Sequence, residues 1–374
     1  MPPRQPIEGV PTSTAGFLGY TPSGAVNQAS LVTSFGDFDR AFGGLAEDSP
    51  VSYAVMDFFE NGGQEAWVVR IVGSATADLP SPADFRGSET SATGVWALEQ
   101  ASDVELLCVP GQADPDLLED LACYCRRRHA FFIADVPPDV ATAAAAWAWA
   151  IGLRGRALMS YAAVYFPWLL MPDPLRPGNP VARSPSGAVV GLLARLDVER
   201  GVWAMPAGNA AALVGATGLD PVLADSESAA LAIGGINPIR EVPEVGCVPW
   251  GARTLLGRRP DAGDWNYIPV RRFKIFLESS IERGTQWAAF EPNDEPTWSE
   301  LRHTVDAFMH DLFREGAFQG TREDDAYSVR CDQCTTSVHD VASGVVNIQV
   351  GFAPLRPKCL STITVPVKCG SLGP

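Results

Sequence analysis

The sequence predicts an N-terminal α/β domain with a mainly parallel sheet, followed by a C-terminal α+β domain. Three observations carry that reading. Apolar strands and helices alternate between residues 104 and 168, the pattern of a parallel sheet covered by helices. One long amphipathic helix fills 297–315. Three β segments then close the chain. The expected boundary lies near residue 258, giving domains 1–258 and 259–374.

Taken in order, a strand around Leu31–Val32 precedes SFGDFDRAFGG, where Ser34 caps a helix with Phe35, Phe38 and Phe42 at helical spacing. A second helix runs from about Pro50 to Asn61, with Val51, Val55, Phe58 and Phe59 on one side, and NGG stops it. The strand AWVVRI (66–71) follows. Residues 74–94, rich in Ser, Thr, Ala, Pro and Gly, read as a surface loop. VELLCVP (104–110) is a strand, Asp114-Pro115 opens a helix, FFIADV (131–136) is a strand, 141–153 an Ala-rich buried helix, and MSYAAVYFPW (159–168) a further strand. The proline-dense 171–180 is a connector, and Ser184-Pro185 starts a helix reaching about Leu196. Residues 201–250 are weakly patterned, with short strands near Ile239 and Val248.

In the last third, 270–282 is helical, QWAAFE (286–291) reads as a strand and EPNDEP as a turn. The 297–315 helix places Trp298, Leu301, Val305, Phe308, Leu312 and Phe313 on one face. AYSVRC (326–331), VVNIQVGFAP (345–354) and CLSTITVPV (359–367) are the closing β segments, and no internal repeat of fixed period is present.

Composition narrows the function classes. The 374 residues, 46% hydrophobic and 19% charged, allow two packed domains and do not indicate global disorder. A formal charge of −16 argues against binding a phosphate backbone. The start MPPRQPIEG lacks the basic and apolar regions of a secretory signal, and the most apolar run is shorter than the ~20 residues of a membrane span. Eight cysteines without a signal peptide suggest reduced thiols in a cytosol.

Catalytic signatures are missing: there is no GxxxxGK[ST] phosphate loop, HExxH zinc helix or GxSxG nucleophile turn. No catalytic or cofactor-binding residue is assigned, and no cofactor is expected. Cys331 and Cys334 with His339, completed by Cys359 or Cys369, match a zinc site only partially, so incidental thiols are the adopted reading. His303, Asp306 and His310 sit on neighbouring turns of the 297–315 helix. The charged residues around them make that face a solvent or protein-partner surface before a catalytic one.

The segments GVPTSTAGFLGYT (9–21), SFGDFDRAFGG (34–44) and FFENGGQEAWVVRI (58–71) resemble the opening of contractile-tail sheath proteins of phages and phage-like injection systems. The resemblance resumes in YFPWL (165–169), SPSG (184–187), ERGVWAMPAGN (199–209), INPIR (236–240) and WGARTL (250–255). It is densest in YIPVRRFKIFLESSIERGTQWAAFEPNDEPTW (267–298), then FREGAFQG (313–320), AYSVRCD (326–332) and VGFAPLRP (350–357). Order and spacing over nearly the whole chain carry the match.

The resemblance implies a subunit stacked in helical rings around a rigid inner tube, working with baseplate and cap proteins, without nucleic acid or direct membrane insertion. It implies a C-terminal domain forming the inner, tube-facing layer, with the first ~20 residues as a candidate addition to it. Strands from the chain ends would enter sheets of neighbouring subunits, and contraction would drive the tube through a target envelope. The exchange strand would be Leu360, Ser361, Thr362, Ile363, Thr364 and Val365, with Pro366 suiting an edge because it cannot donate to a ladder. The polar helix face of Glu300, Arg302, Asp306, Asp311, Arg314 and Glu315 would meet the tube or another subunit. The expected location is the cytoplasm of the producing bacterium, then the particle.

One departure stands out. Family members carry an N-terminal arm before the segment matching PIEGVPTSTAGF, and here only MPPRQP precedes it. Either the start lies too far downstream or the arm is shortened, which would suit a specialised paralogue at the baseplate or cap. A cytosolic α/β enzyme is the alternative from another class, and it has no site to support it.

Overall fold

The computed structural model describes residues 5–73, 79–153, 157–258 and 260–370. It divides into two compact units. The larger runs from Pro11 to Arg272, and the smaller joins the residues up to Val10 to those from Phe273 onward.

In the larger unit, β1 (Ala15–Gly19) and β2 (Ala29–Val32) lead into α1 (Phe35–Phe42), α2 (Pro50–Glu60) and β3 (Ala66–Arg70). The Ser34 side chain accepts from the Asp37 N–H and that of Ser49 from the Ser52 N–H, so each helix begins where a short side chain satisfies a free backbone donor. Next come α3 (Pro82–Arg86), β4 (Leu106–Cys108), α4 (Pro115–Arg128), β5 (Phe131–Asp135), α5 (Ala143–Leu153) and β6 (Ala162–Phe166). The order continues with β7 (Trp168–Pro172), β8 (Pro180–Arg183), α6 (Ser186–Arg200), β9 (Gly218–Asp220), α7 (Asp225–Ile233), β10 (Ile236–Val242) and β11 (Gly246–Pro249).

Eight of these strands form one sheet in the order β11-β10-β6-β5-β4-β1-β3-β2. The pairings between β10 and β3 are all parallel, and β11 and β2 close the two edges antiparallel. Leu18, Leu107, Phe132 and Val164 join the apolar core formed with α3, α4, α5 and α7. Phe17 points the other way, its ring 5.4 Å from Phe58 of α2. On that side α6 packs on α2 so closely that only glycine fits. A Cβ at Gly187 would lie 2.4 Å from the Ala54 carbonyl oxygen, and one at Gly191 would lie 2.3 Å from that of Phe58. A second, antiparallel sheet has the order β8-β7-β9.

A buried ion pair ties the end of this unit to its beginning. Arg272 donates from Nη1 to Asp197 Oδ1 at 2.8 Å and from Nη2 to the Thr12 carbonyl at 3.0 Å. Both partners of the pair are almost fully enclosed.

The smaller unit contains most of α8 (Ile268–Gly284), within which the division falls, then α9 (Glu295–Arg314) and α10 (Glu323–Ala326). Strand β12 (Tyr327–Arg330), the short α11 (Val338–Ala342), β13 (Val345–Phe352) and β14 (Ser361–Lys368) complete it. The strands make an antiparallel sheet ordered β12-β13-β14. Its core is aromatic: Phe273 lies 5.5 Å from Phe318 and 5.4 Å from Phe352, and Phe318 lies 5.8 Å from Tyr327. Among the described residues no helix is long and apolar enough to cross a membrane.

The structure corrects four expectations. QWAAFE is a 3-10 turn, Gln286–Phe290, which buries only Ala288; it lies beside the end of β14, but the bridge there joins Pro292 to Gly370 and no ladder forms along the segment. The 74–94 loop contains α3, started by the reciprocal bonds of Ser81 and Asp84 and anchored by buried Phe85, while 74–78 lies outside the described residues. The strand expected over 159–168 ends at Phe166, and beyond Pro167 the chain enters the second sheet. The 171–180 connector therefore becomes the turn of the β7–β8 hairpin.

The glycine contact between α2 and α6 is directly testable. Gly191→Val should lower the urea unfolding midpoint by the equivalent of about 1–3 kcal/mol, the cost of overpacking. Gly152→Ala, in α5 with open space at its Cβ position, should leave it unchanged or slightly raised. A Gly191 variant as stable as the parent would show that the two helices are free to separate.

Candidate assembly surfaces

Strand β14 owes its register to its alternation. Val346 faces Val367, Ile348 faces Val365 and Val350 faces Ile363, three cross-strand apolar pairs buried on the same side of the sheet. Thr362, Thr364, Pro366 and Lys368 point to solvent between them. Slipping by one residue would put every apolar side chain in water. Leu360 precedes the strand half-exposed, and Ser361 opens it opposite Phe352. β14 is an edge strand, with β13 on one side. Beyond its end the Gly370 N–H donates to the Glu291 carbonyl at 2.9 Å. Next to that bridge Phe290 stands 91% exposed, a residue that the strand reading of 286–291 gave no reason to single out.

Helix α9 buries Trp298, Leu301, Val305, Phe308, Met309 and Leu312, as its period demands. Phe313 is half-buried. The six charged residues expected on its polar face do not form one cluster. At about 3.6 residues per turn, Arg302 and Asp306 fall on one flank, and Glu300, Asp311 and Arg314 on the other. Asp306, Asp311, Arg314 and Glu315 are exposed. Arg302 is engaged within its own chain, donating from Nη1 to the Cys331 carbonyl at 2.7 Å and from Nη2 to Ser299 Oγ at 3.3 Å. Glu300 is half-buried.

The residues before Val10 are held on α8. The Val10 N–H donates to Ser280 Oγ at 3.1 Å, and Ile7 is buried. Gly9 and Gly284 admit this approach: a Cβ on Gly9 would meet the Phe276 ring at 2.8 Å, and one on Gly284 would meet Ile7 Cγ1 at 2.6 Å. Sequence reasoning has no local signal for this contact, because its halves are 270 positions apart.

The candidate metal ligands differ in burial. Cys331 and Cys369 are buried while Cys334 and Cys359 are exposed. Burial pushes the Cys331 thiol up to about 12 and that of Cys369 up to about 11. His310 Nδ1 lies 3.2 Å from Glu323 Oε1, and His303 is exposed. Among the described residues no three His, Cys, Asp or Glu side chains are grouped to hold a metal ion.

Known proteins match this chain as follows. Residues 89–255 match a family model described as the phage tail sheath protein central domain. The tail sheath protein of Vibrio phage KVP40 is 30% identical over 128 residues, 34% of this chain, and the matched stretch spans 19% of that protein. The sheath complex of an extracellular contractile injection system, PVC, in its contracted state aligns with a TM-score of 0.76 at 26% identity, covering 94% of this chain and 90% of that one. The contracted helical sheath of the anti-feeding prophage, AFP, aligns with a TM-score of 0.73 at 25% identity, covering 96% and 94%.

The register of β14 predicts an asymmetric response to mutation. Ile363→Ala should cost about 2–4 kcal/mol of stability, in line with buried Ile truncations. Thr364→Ala should stay within about 0.5 kcal/mol, since it faces solvent. Equal losses in denaturant titrations of the two variants would refute the one-sided burial of the strand.

Proposed function

We infer that this chain is a member of the phage tail sheath family and the structural sheath subunit of a contractile phage tail or phage-like injection system. The observation that carries this reading is the likeness in fold and sequence to contractile-system sheath subunits over more than nine tenths of the chain. Copies stack in helical rings around an inner tube, with baseplate and cap proteins at the ends of the particle. The chain is made in the cytoplasm of the producing bacterium and works within the assembled particle. Energy for contraction is stored as a difference between two packings of the lattice, and a trigger at one end selects between them.

Within that assembly β14 is the exchange element. Its outer edge offers unpaired backbone groups to a neighbour, and its apolar pairs with β13 form equally well if the strand comes from another copy. Helix α9 supplies the contact to the tube or to an adjacent subunit through the exposed Asp306, Asp311, Arg314 and Glu315. Charges so exposed set register and encounter rate more than affinity, and salt weakens them.

Electron microscopy of the purified protein, alone and with its tube protein, tests the reading. Helical cylinders are expected, and a dispersed monomer under both conditions would count against it. Asp306→Lys with Asp311→Lys is expected to reduce co-assembly with the tube at low salt and to matter less at high salt. If cylinders form around the tube equally well with these reversals, α9 is not the tube contact.

A further inference from the structure

The β7–β8 hairpin is fastened to α2 and the residues before it by polar contacts around a cavity of about 380 Å³. The Tyr53 hydroxyl donates to Asp173 Oδ1 at 3.0 Å, and Arg176 Nε donates to Glu47 Oε1 at 2.9 Å. The Arg183 guanidinium stacks 5.2 Å from the centre of the Tyr53 ring, and its Nη1 lies 3.2 Å from Asp57 Oδ1. This last contact is the unusual one. The two side chains are only 9% and 2% exposed, yet Arg183 Nε, Arg183 Nη1 and Asp57 Oδ1 all lack an aligned hydrogen bond. The aligned bond that Arg183 does make runs from Nη2 to the Pro172 carbonyl at 3.2 Å, within its own hairpin, and two enclosed charges without an aligned hydrogen bond between them recover little of their cost of leaving water.

We propose that the β7–β8 hairpin is a latch whose closure over α2 is coupled to uptake of a proton by Asp57. Burial pushes the Asp57 carboxyl up to about 7, against the pull of Arg183 and with a further push from Glu60. Apart from the exposed Glu60, the other charged groups around it are already engaged. Glu47 pairs with Arg176, and Asp173 takes the Tyr53 hydroxyl and the Leu175 N–H. From α6, Arg195 donates to the Ala212 carbonyl, and the Asp135 carboxylate at the end of β5 is taken by Ser186 and Gly111. Asp57 and Arg183 are therefore the pair left to respond.

The sign follows from linkage. With the hairpin lifted, Asp57 is wet and returns to the ordinary carboxylate range near about 3.9. The closed form thus holds the proton more tightly, so acid closes the latch and alkali opens it. The stabilisation is fully present below the open-state value and is lost as pH rises through about 7. From about pH 6 to about pH 8 the opening equilibrium should increase about tenfold.

Carbon-13 titration of the side-chain carboxyls in the unaltered chain, with hydroxyl-radical footprinting of Tyr53 and Trp168 at the two pH values, tests the proposal. Asp57 is expected to titrate near neutrality. Both rings are half-exposed in the closed form, so their oxidation, corrected for the free amino acids, should rise from that baseline as the pH is raised. In Asp57→Asn, which mimics the neutral acid, the rise should vanish, with both rings held at the closed-form level. An Asp57 titrating among ordinary carboxylates would overturn the latch, and so would rings equally protected at both pH values. These two outcomes need no variant, so they decide the matter even if Asp57→Asn fails to fold.

Discussion

The larger unit is organised by one buried carboxylate at the end of its central strand. Asp135 closes β5, and its Oδ2 accepts from Ser186 Oγ at 2.8 Å and from the Gly111 N–H at 3.2 Å, while Oδ1 takes the Ser186 N–H at 3.2 Å. Burial pushes this carboxyl up to about 6, and the three donors around it pull toward the ionised form. A negative charge there suits the first turn of α6, whose free N–H groups carry the positive end of the helix dipole. The chain leaving β4 and the start of α6 are thereby referred to the same atom group. Once α6 is placed, Gly187 and Gly191 dictate how near α2 must come, and α2 then presents Phe58 to Phe17 of β1.

The two units reach stability by different means. In the larger one, backbones approach through glycines over a sheet buried on both sides, an arrangement intolerant of added volume. In the smaller one, a ring cluster built around Phe273 covers one face of a three-stranded sheet whose last strand lies at the edge. An edge strand has half of its backbone groups free, so detaching it breaks one ladder where a central strand would break two.

Much of this was legible in the sequence, and what was missed shares a cause. Caps and periods are local, so Ser34, Asp114 with Pro115, and the apolar stripe of α9 announced their helices. The alternation of 359–367 announced β14 and the side it would bury. The partners of each element are not local. Nothing within QWAAFE shows that it joins no ladder, and nothing within 159–172 shows that Pro167 divides two sheets. For the candidate surfaces, the charges of α9 could be read from the pattern. The capture of Arg302 could not, because its acceptor is the Cys331 carbonyl, 29 positions away.

The seat of the first residues on α8 bears on the order of events during synthesis. Val10 and Ser280 are separated by 270 positions, so a nascent chain exposes Ile7 and Val10 long before their partners emerge from the ribosome. Meanwhile every strand of the eight-stranded sheet, from β1 to β11, has been made and can assemble. The smaller unit is then left to close the longest loop in the molecule, a step of high contact order and correspondingly slow. Until it does, the surfaces read here as adhesive do not exist in finished form. The contact that completes the smaller unit is thus among the last that translation makes available.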